Sequence, residues 1–399
     1  MARAILTTVP SSLAEMWVSG LDPAVGARFR SDLRTAAETV SQGVSSGRAA
    51  ASIGQWQKWI NFGGELGLDP FLEAFEDKVP ILQVFLHRVR IGKLAAKGNQ
   101  IKSRSAEDYL RAVAQAFLGM GANDPRLNAA LKTDFRISRM LAAWKKQDPP
   151  ANRVKPVPVA VIRHIAAVAA RLPPGNEKLC AAADMIIIAF FFLLRPGEYT
   201  DSKSDTTPFT LGDVQLFLGP RRLDLATASD AELSLARAVS LTFTTQKNGV
   251  ENEVIKMGLS GDLRVCVVRA VTRRVCHLRS HNAPATTPLA RVYTGVGRRT
   301  QSVTPVLISK TLHDAVAWIG SDLGFLPGDV SARSLRAARA MALLVGKVDP
   351  DIIQILGRWR SDEMFRYLHL SAEPIMKGFA AKMLNADYTI APSQLVPCH

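Results

Sequence analysis

Two arginines three residues apart, Arg333 and Arg336, follow Ser331, a good N-cap for a helix running to about Val345, where Gly346 supplies a stop. The spacing puts both guanidiniums on one face near the N-terminal end of that helix. Forked donors there add to the unpaired backbone N–H groups and the helix dipole, a combination that binds anions. Asp349-Pro350 opens a second short helix ending near Leu356-Gly357, and the segment LGRWRSDEMFRYLHL then carries Arg358, Trp359 and, on a further predicted helix, Tyr367. A second concentration of charge runs from Leu86 to Arg104, with Arg88, Arg90, Lys93, Lys97, Lys102 and Arg104 and no acid. It suits phosphate contact, a solvated face being the plainer role. Cys276, His277 and His281 include a His pair at i and i+4, but no further ligands follow at metal spacing, so no metal site is read.

The whole chain supports a polyanionic partner. Its 399 residues hold 50 Lys+Arg against 35 Asp+Glu, a formal charge of +15. Residues 1–155 carry +8 (22 basic, 14 acidic) and the rest +7, so both halves are expected to face the same polyanion. With 47% hydrophobic and 21% charged residues the chain can bury a core. The N-terminus shows no apolar signal region. The longest nearly apolar run, Ala181 to Leu194, contains Asp184 and is too short to span a bilayer, so it is expected to be a buried helix. Four scattered cysteines suit a reducing compartment. These features argue against a secreted disulfide scaffold and a membrane protein, and point to an intracellular protein with a polyanionic partner.

The elements that must position these residues follow from periodicity. Residues 1–45 read as an arm with one helix around Pro23 to Val40. Residues 46–150 read as a small helical domain, with apolar positions such as Ile53, Trp56, Trp59 and Ile60 at helical spacing. The Pro-rich stretch Lys145 to Pro158 marks the boundary. Beyond it come helices at Val159–Leu172 and Lys178–Leu194, strand-like runs at Asp213–Leu218 and Ala238–Thr245, and a hairpin over Val239–Met257 around Asn248-Gly249. A helix is expected from Asp262 to Arg279, and helices dominate the C-terminal third.

The string SLRAARAMALLVGKVDPDIIQILGRWRSDEMFRYL resembles the C-terminal signature of the tyrosine recombinases, the phage-integrase-like family. That family's H-x-x-R box is matched by Arg336 at its arginine, its His or Trp nine residues before the nucleophile by Arg358, and its tyrosine by Tyr367. Its first arginine is matched by Arg195 in FFLLRPGEYT, with Glu198 as the acidic neighbour. Its hairpin lysine is matched by Lys247 in TTQKNGV. Arg333 stands where the family has histidine. In motif style the segment is most similar to integrases of eukaryotic crypton and DIRS-like mobile elements.

The resemblance implies an α+β, mainly α, fold: a helical core-binding (SAM-like) DNA-binding domain over 46–150, a mixed α/β catalytic domain with a small antiparallel sheet over 156–386, and a tail over 387–399. It implies site-specific cutting and rejoining of double-stranded DNA by a homotetramer on its sites, without metal or ATP. It would make the protein DNA-associated, in the nucleus if eukaryotic and otherwise in the cytoplasm or nucleoid. Tyr367 would attack a phosphodiester and form a phosphotyrosine. Arg195, Arg336, Arg333 and Arg358 would clamp the non-bridging oxygens, and Lys247 would protonate the departing 5′ oxygen. With arginine at 333 and 358, charge stabilisation survives and proton transfer by histidine does not. Two alternatives remain open here: a type IB topoisomerase-like enzyme, and a sequence-specific DNA-binding protein that has lost catalysis.

Overall fold

Asp22, whose carboxylate accepts from the N–H groups of Ala24 and Val25, caps the first described helix, α1 (Pro23–Gln42), with proline at its first position. The computed structural model describes residues 19–359 except 45, 96–97, 151–153, 203–206, 245–251 and 295–298. The chain divides into two units, Met1–Ala151 and Asn152–His399.

In the first unit, α2 (Ser46–Glu65), α3 (Val79–Arg90), α4 (Ser103–Gly119) and α5 (Phe135–Gln147) follow α1. The helical spacing of aromatic residues builds their shared core: Trp56, Trp59, Phe62, Phe85 and Phe117 are all fully buried. Trp59 meets Phe85 edge to face at 5.0 Å, and its indole N–H donates to the Pro70 carbonyl at 2.8 Å. The start of α4 has no side-chain cap of its own. Asp148 supplies one from the far end of the unit, accepting from the Ser103 N–H at 2.8 Å and from the Ser103 hydroxyl, while pairing with Arg90.

That pairing corrects one expectation. Arg90 does not belong to an outward basic face; it is buried, donates to Asp148 and the Ile101 carbonyl, and lies over the Trp144 ring. A buried guanidinium needs an acid and acceptors, and the fold provides them inside the unit.

The second unit is arranged around the apolar run. It forms α7 (Glu177–Phe191), in which every residue from Ala181 to Phe190 is buried. Around α7 pack α6 (Val159–Ala169), α10 (Val267–Arg279), α11 (Pro305–Ile319) and α12 (Ser334–Val345). Asp184 survives inside α7 because Arg273 of α10 donates to it at 2.9 Å, although burial still pushes its carboxyl upward. A short helix, α8 (Pro196–Tyr199), follows α7, and α9 (Asp230–Ser234) and α13 (Pro350–Gly357) complete the helices named here.

Four antiparallel strands lie in the order β2-β1-β3-β4, with β1 Val214–Leu218, β2 Arg221–Leu223, β3 Ala238–Phe243 and β4 Glu253–Gly258. Val214, Leu216, Val239, Leu241 and Phe243 alternate onto the core side. A separate antiparallel pair, β5 (Arg291–Thr294) and β6 (Arg299–Ser302), packs through β5 on α7. The fold is therefore α+β and mainly helical, with small antiparallel sheets.

The expected hairpin is present, its described ladder running from Ala238 opposite Gly258 to Phe243 opposite Glu253, while Asn248-Gly249 lies outside the described residues. Two local expectations shift. The helix expected from Asp262 begins at Val267, because Asp262 instead accepts from the N–H groups of Arg264 and Val265 and holds a turn. The helix expected to start after Ser331 begins at Ser334, since Ser331 and Ser334 bond to each other's neighbourhood: the Ser331 N–H donates to Ser334 Oγ, and the Arg333 N–H to Ser331 Oγ. Among the described residues no helix is long and apolar enough to cross a membrane.

The Asp148 staple gives a pH test. The Ser103 hydroxyl, followed by the Ser103 N–H and Arg90, outweighs burial and holds this carboxyl at about 2. A lowered folded pKa means that the ionised group stabilises fully above the unfolded value of roughly 3.9, and that this contribution is lost as pH falls toward the folded value. Asp148→Asn should therefore melt below the wild type at pH 7, and the gap should close between about pH 4 and pH 2 in paired thermal melts.

Candidate phosphate-binding site

The helix α7 stops in a left-handed turn. Leu193 has φ of 49°, and Arg195 returns to extended backbone as the N-cap of α8. This turn exposes the Leu193 carbonyl to two guanidiniums that arrive from the far end of the chain: Arg336 of α12 donates Nη1 at 3.1 Å and Arg358 donates Nη2 at 3.2 Å. Arg358 follows α13 and is itself left-handed, with φ of 55°. Arg336 also donates to the Gly357 carbonyl, so the two arginine segments are tied to each other as well as to α7.

Glu198 sits between the arginines and is 2% exposed. One oxygen accepts from the Arg195 N–H at 2.8 Å and from Arg358 Nη2 at 3.2 Å; the other accepts from Arg195 Nη1 at 3.0 Å. It thus caps its own short helix and orients two arginines. Aromatic rings provide shelves beneath the flat cations. The Arg358 guanidinium lies 3.7 Å from the Phe243 ring centre, and that of Arg336 4.7 Å from the Trp359 ring. Trp359 packs with Leu193, Ala340 and Ile353 in a small satellite core. Burial, only partly opposed by Glu198, pulls the Arg358 pKa below its ordinary value.

The turn leading into α12 is fixed from three sides. Tyr199 donates its hydroxyl to the Ala332 carbonyl at 2.9 Å, the Ala332 N–H donates to Ser309 Oγ, and His313 Nε2 lies 2.8 Å from the Val330 carbonyl. Burial raises the Tyr199 phenol well above its usual range, so it acts as an anchor.

The structure therefore gathers Arg195, Glu198, Arg336 and Arg358. It does not place Arg333 with Arg336 on one face. Arg333 is the N-cap residue and is exposed, whereas Arg336 is 3% exposed and points into the protein. Because the helix starts two residues late, the pair straddles its first turn. Lys247 and Tyr367 lie outside the described residues. In the first unit Lys93, Lys102 and Arg104 are exposed, Arg88 pairs with Glu65 at 3.0 Å, Arg90 is buried, and Lys97 lies outside the described residues. His277 and His281 serve the fold: His277 Nε2 accepts from the Tyr293 N–H at 3.1 Å, and His281 stacks on the Tyr293 ring at 4.8 Å. Among the described residues no group of three metal-ligating side chains forms.

Two participants had little sequence signal. Phe243 was legible only as a strand residue. Arg339, three residues beyond Arg336 on α12, is 7% exposed, and burial, with the like charge of Arg358 second, lowers its pKa. Its spacing from Arg336 was the only available clue.

No protein-family model and no curated protein matches the chain. Among solved structures it is similar to the Tn1549 transposon integrase in complex with transposon right end DNA (TM-score 0.43, 13% identity, 78% of this chain and 86% of that one). It is also similar to the XerH site-specific recombinase bound to difH substrate (0.48, 11%, 96% and 93%) and to the XerA recombinase (0.35, 12%, 88% and 96%). Superpositions this loose leave the chemistry to be decided by the site's own geometry.

Two substitutions probe the assembly. Glu198→Gln removes the acid shared by two arginines and should cost roughly 3–5 kcal/mol of stability in denaturant titrations. A Cβ at Gly357 would fall 1.6 Å from an atom of the Trp359 ring. Gly357→Ala should therefore expel the indole from beneath Arg336, costing about 1–3 kcal/mol and red-shifting tryptophan emission.

Proposed function

We propose that this protein is a DNA strand-breaking and rejoining enzyme of the tyrosine-recombinase type. The observation that carries the reading is the convergence of Arg195, Arg336 and Arg358 on the end of one buried helix, around a single Leu193 carbonyl and Glu198. Guanidiniums fixed in advance are worth most where negative charge builds up, as on the equatorial oxygens of a phosphodiester under attack.

In this reading Tyr367 Oη gives up its proton to solvent and attacks phosphorus, and the bond from phosphorus to the 5′ oxygen breaks. Lys247, on the connection between β3 and β4, gives a proton to that oxygen. The phosphotyrosine keeps the bond energy until a DNA hydroxyl attacks it in the reverse sense, so neither ATP nor a metal takes part. Arg333, exposed at the start of α12, contributes charge to the same phosphate. Lys93, Lys102 and Arg104 of the helical unit bind duplex phosphates, and strand exchange between two sites calls for four copies on DNA.

A second reading is favoured by one observation. Arg336 spends donors on the Leu193 and Gly357 carbonyls, which is structural work, so the cluster also suits a DNA-binding protein without covalent chemistry.

The two are separated by mixing the protein with labelled DNA, quenching in denaturant, digesting with nuclease and looking for label held covalently. Wild type should retain label and Tyr367→Phe should retain none while binding DNA with unchanged affinity. Arg195→Ala, which leaves the Leu193 bonds intact, should slow adduct formation by about 10²–10³-fold. Label on Tyr367→Phe would overturn the nucleophile assignment, and binding without label on wild type would establish the second reading.

A further inference from the structure

Arg339 has no acid paired with it among the described residues, and unlike Arg336 it has no backbone carbonyl in place of one. It projects from α12 into the protein interior and is 7% exposed. Its Nη2 meets only the Met257 sulfur, at 3.7 Å, and its Nη1 has no hydrogen-bond partner among the described residues. A thioether is a weak acceptor, and buried cations ordinarily secure a carboxylate or several carbonyls. Arg274, also buried in the same unit, shows the ordinary solution: it donates to the carbonyls of Leu289 and Arg291. Glu198 bonds to Arg195 and Arg358 and not to Arg339, and the charge of Glu253 bears on Arg358. Burial first, and then the like charge of Arg358, bring the Arg339 pKa down to about 10, which leaves it protonated at neutral pH.

We propose that Arg339 is a further anion-directing residue of this cluster. Its buried charge disfavours the empty protein and is compensated when an oxyanion of the phosphodiester class docks at Arg195 and Arg358. The inference rests on reading the cluster as a phosphate site, but not on any covalent step. Arg339 needs no contact with the anion, because in a low-dielectric interior its charge acts through the neighbouring Arg358. It is a positioning residue, and its signature is a pair of effects with opposite sign. An apolar side chain of similar length should stabilise the empty protein, as replacement of poorly compensated buried charge often does, and should weaken the anion's hold.

The test uses the full-length protein, with inorganic phosphate as probe and chloride at matched ionic strength as control. In chloride, Arg339→Met should melt roughly 2–4 °C above wild type. In phosphate, the stabilisation seen for wild type should fall by about half or more in Arg339→Met. Arg339→Lys, which keeps the charge, should retain most of it. The proposal is overturned if Arg339→Met melts below wild type or fails to fold, which would make Arg339 a structural residue. It is equally overturned if the variant keeps the full phosphate response, or if Arg339→Lys loses as much as Arg339→Met. The covalent-label experiment is independent of these melts. Loss of the adduct reading with a retained Arg339 effect would leave a phosphate site without strand cleavage, whereas the converse would remove only the role of Arg339.

Discussion

The carbonyl oxygen of Leu193 accepts from two guanidiniums whose residues lie 143 and 165 positions further along the chain. The second unit's candidate chemistry depends on this one acceptor. It is available because the chain leaves α7 in a left-handed turn, a conformation costing a leucine roughly 1–2 kcal/mol. Charge-assisted hydrogen bonds from both arginines offset that cost. Like charges would otherwise hold Arg336 and Arg358 apart; a shared dipole and a buried carboxylate let them approach.

The rest of the second unit supports that point. The helix α7 is buried along nearly its whole length, so its end is a rigid reference, and α12 packs directly against it. Phe243 brings the sheet beneath Arg358, and Trp359 brings the satellite core beneath Arg336. Tyr199 ties the segment after Arg195 to the turn before α12. Each of these elements is an ordinary piece of packing, and each also limits where a guanidinium can lie. A phosphate entering such a place would meet donors already desolvated and aimed.

Elements marked by long apolar periodicity were legible in the sequence. The run Ala181 to Leu194 became the buried helix, and Asp349-Pro350 capped the helix expected of it, Asp349 accepting from the Asp351 N–H at 2.8 Å. What composition could not reveal were pairings across distance. Arg90 lies in a stretch without acids, yet its partner Asp148 stands 58 residues away and turns a surface charge into a core one. The start of α12 lies beyond the point that Ser331 suggests because Ser331 and Ser334 are both competent local acceptors, and a two-residue slip on a helix decides which arginine faces solvent. Arg336 was chosen from its motif; that it would point inward, with Glu198 binding two of its companions, is a property of tertiary packing that spacing along one helix cannot carry.

Arg358 occupies the position after α13 in a left-handed conformation, a place where glycine or asparagine is the usual occupant because a Cβ is disfavoured there. The same residue ends the helix, bonds Leu193 and Glu198, and lies on Phe243. Helix termination and the contacts that bind Leu193, Glu198 and Phe243 together are therefore inherited together at this position. A change to glycine would relax the backbone and remove the bonds to Leu193 and Glu198. Descendants of this sequence can vary the surface of α13 freely, but they can alter residue 358 only by changing how that helix ends.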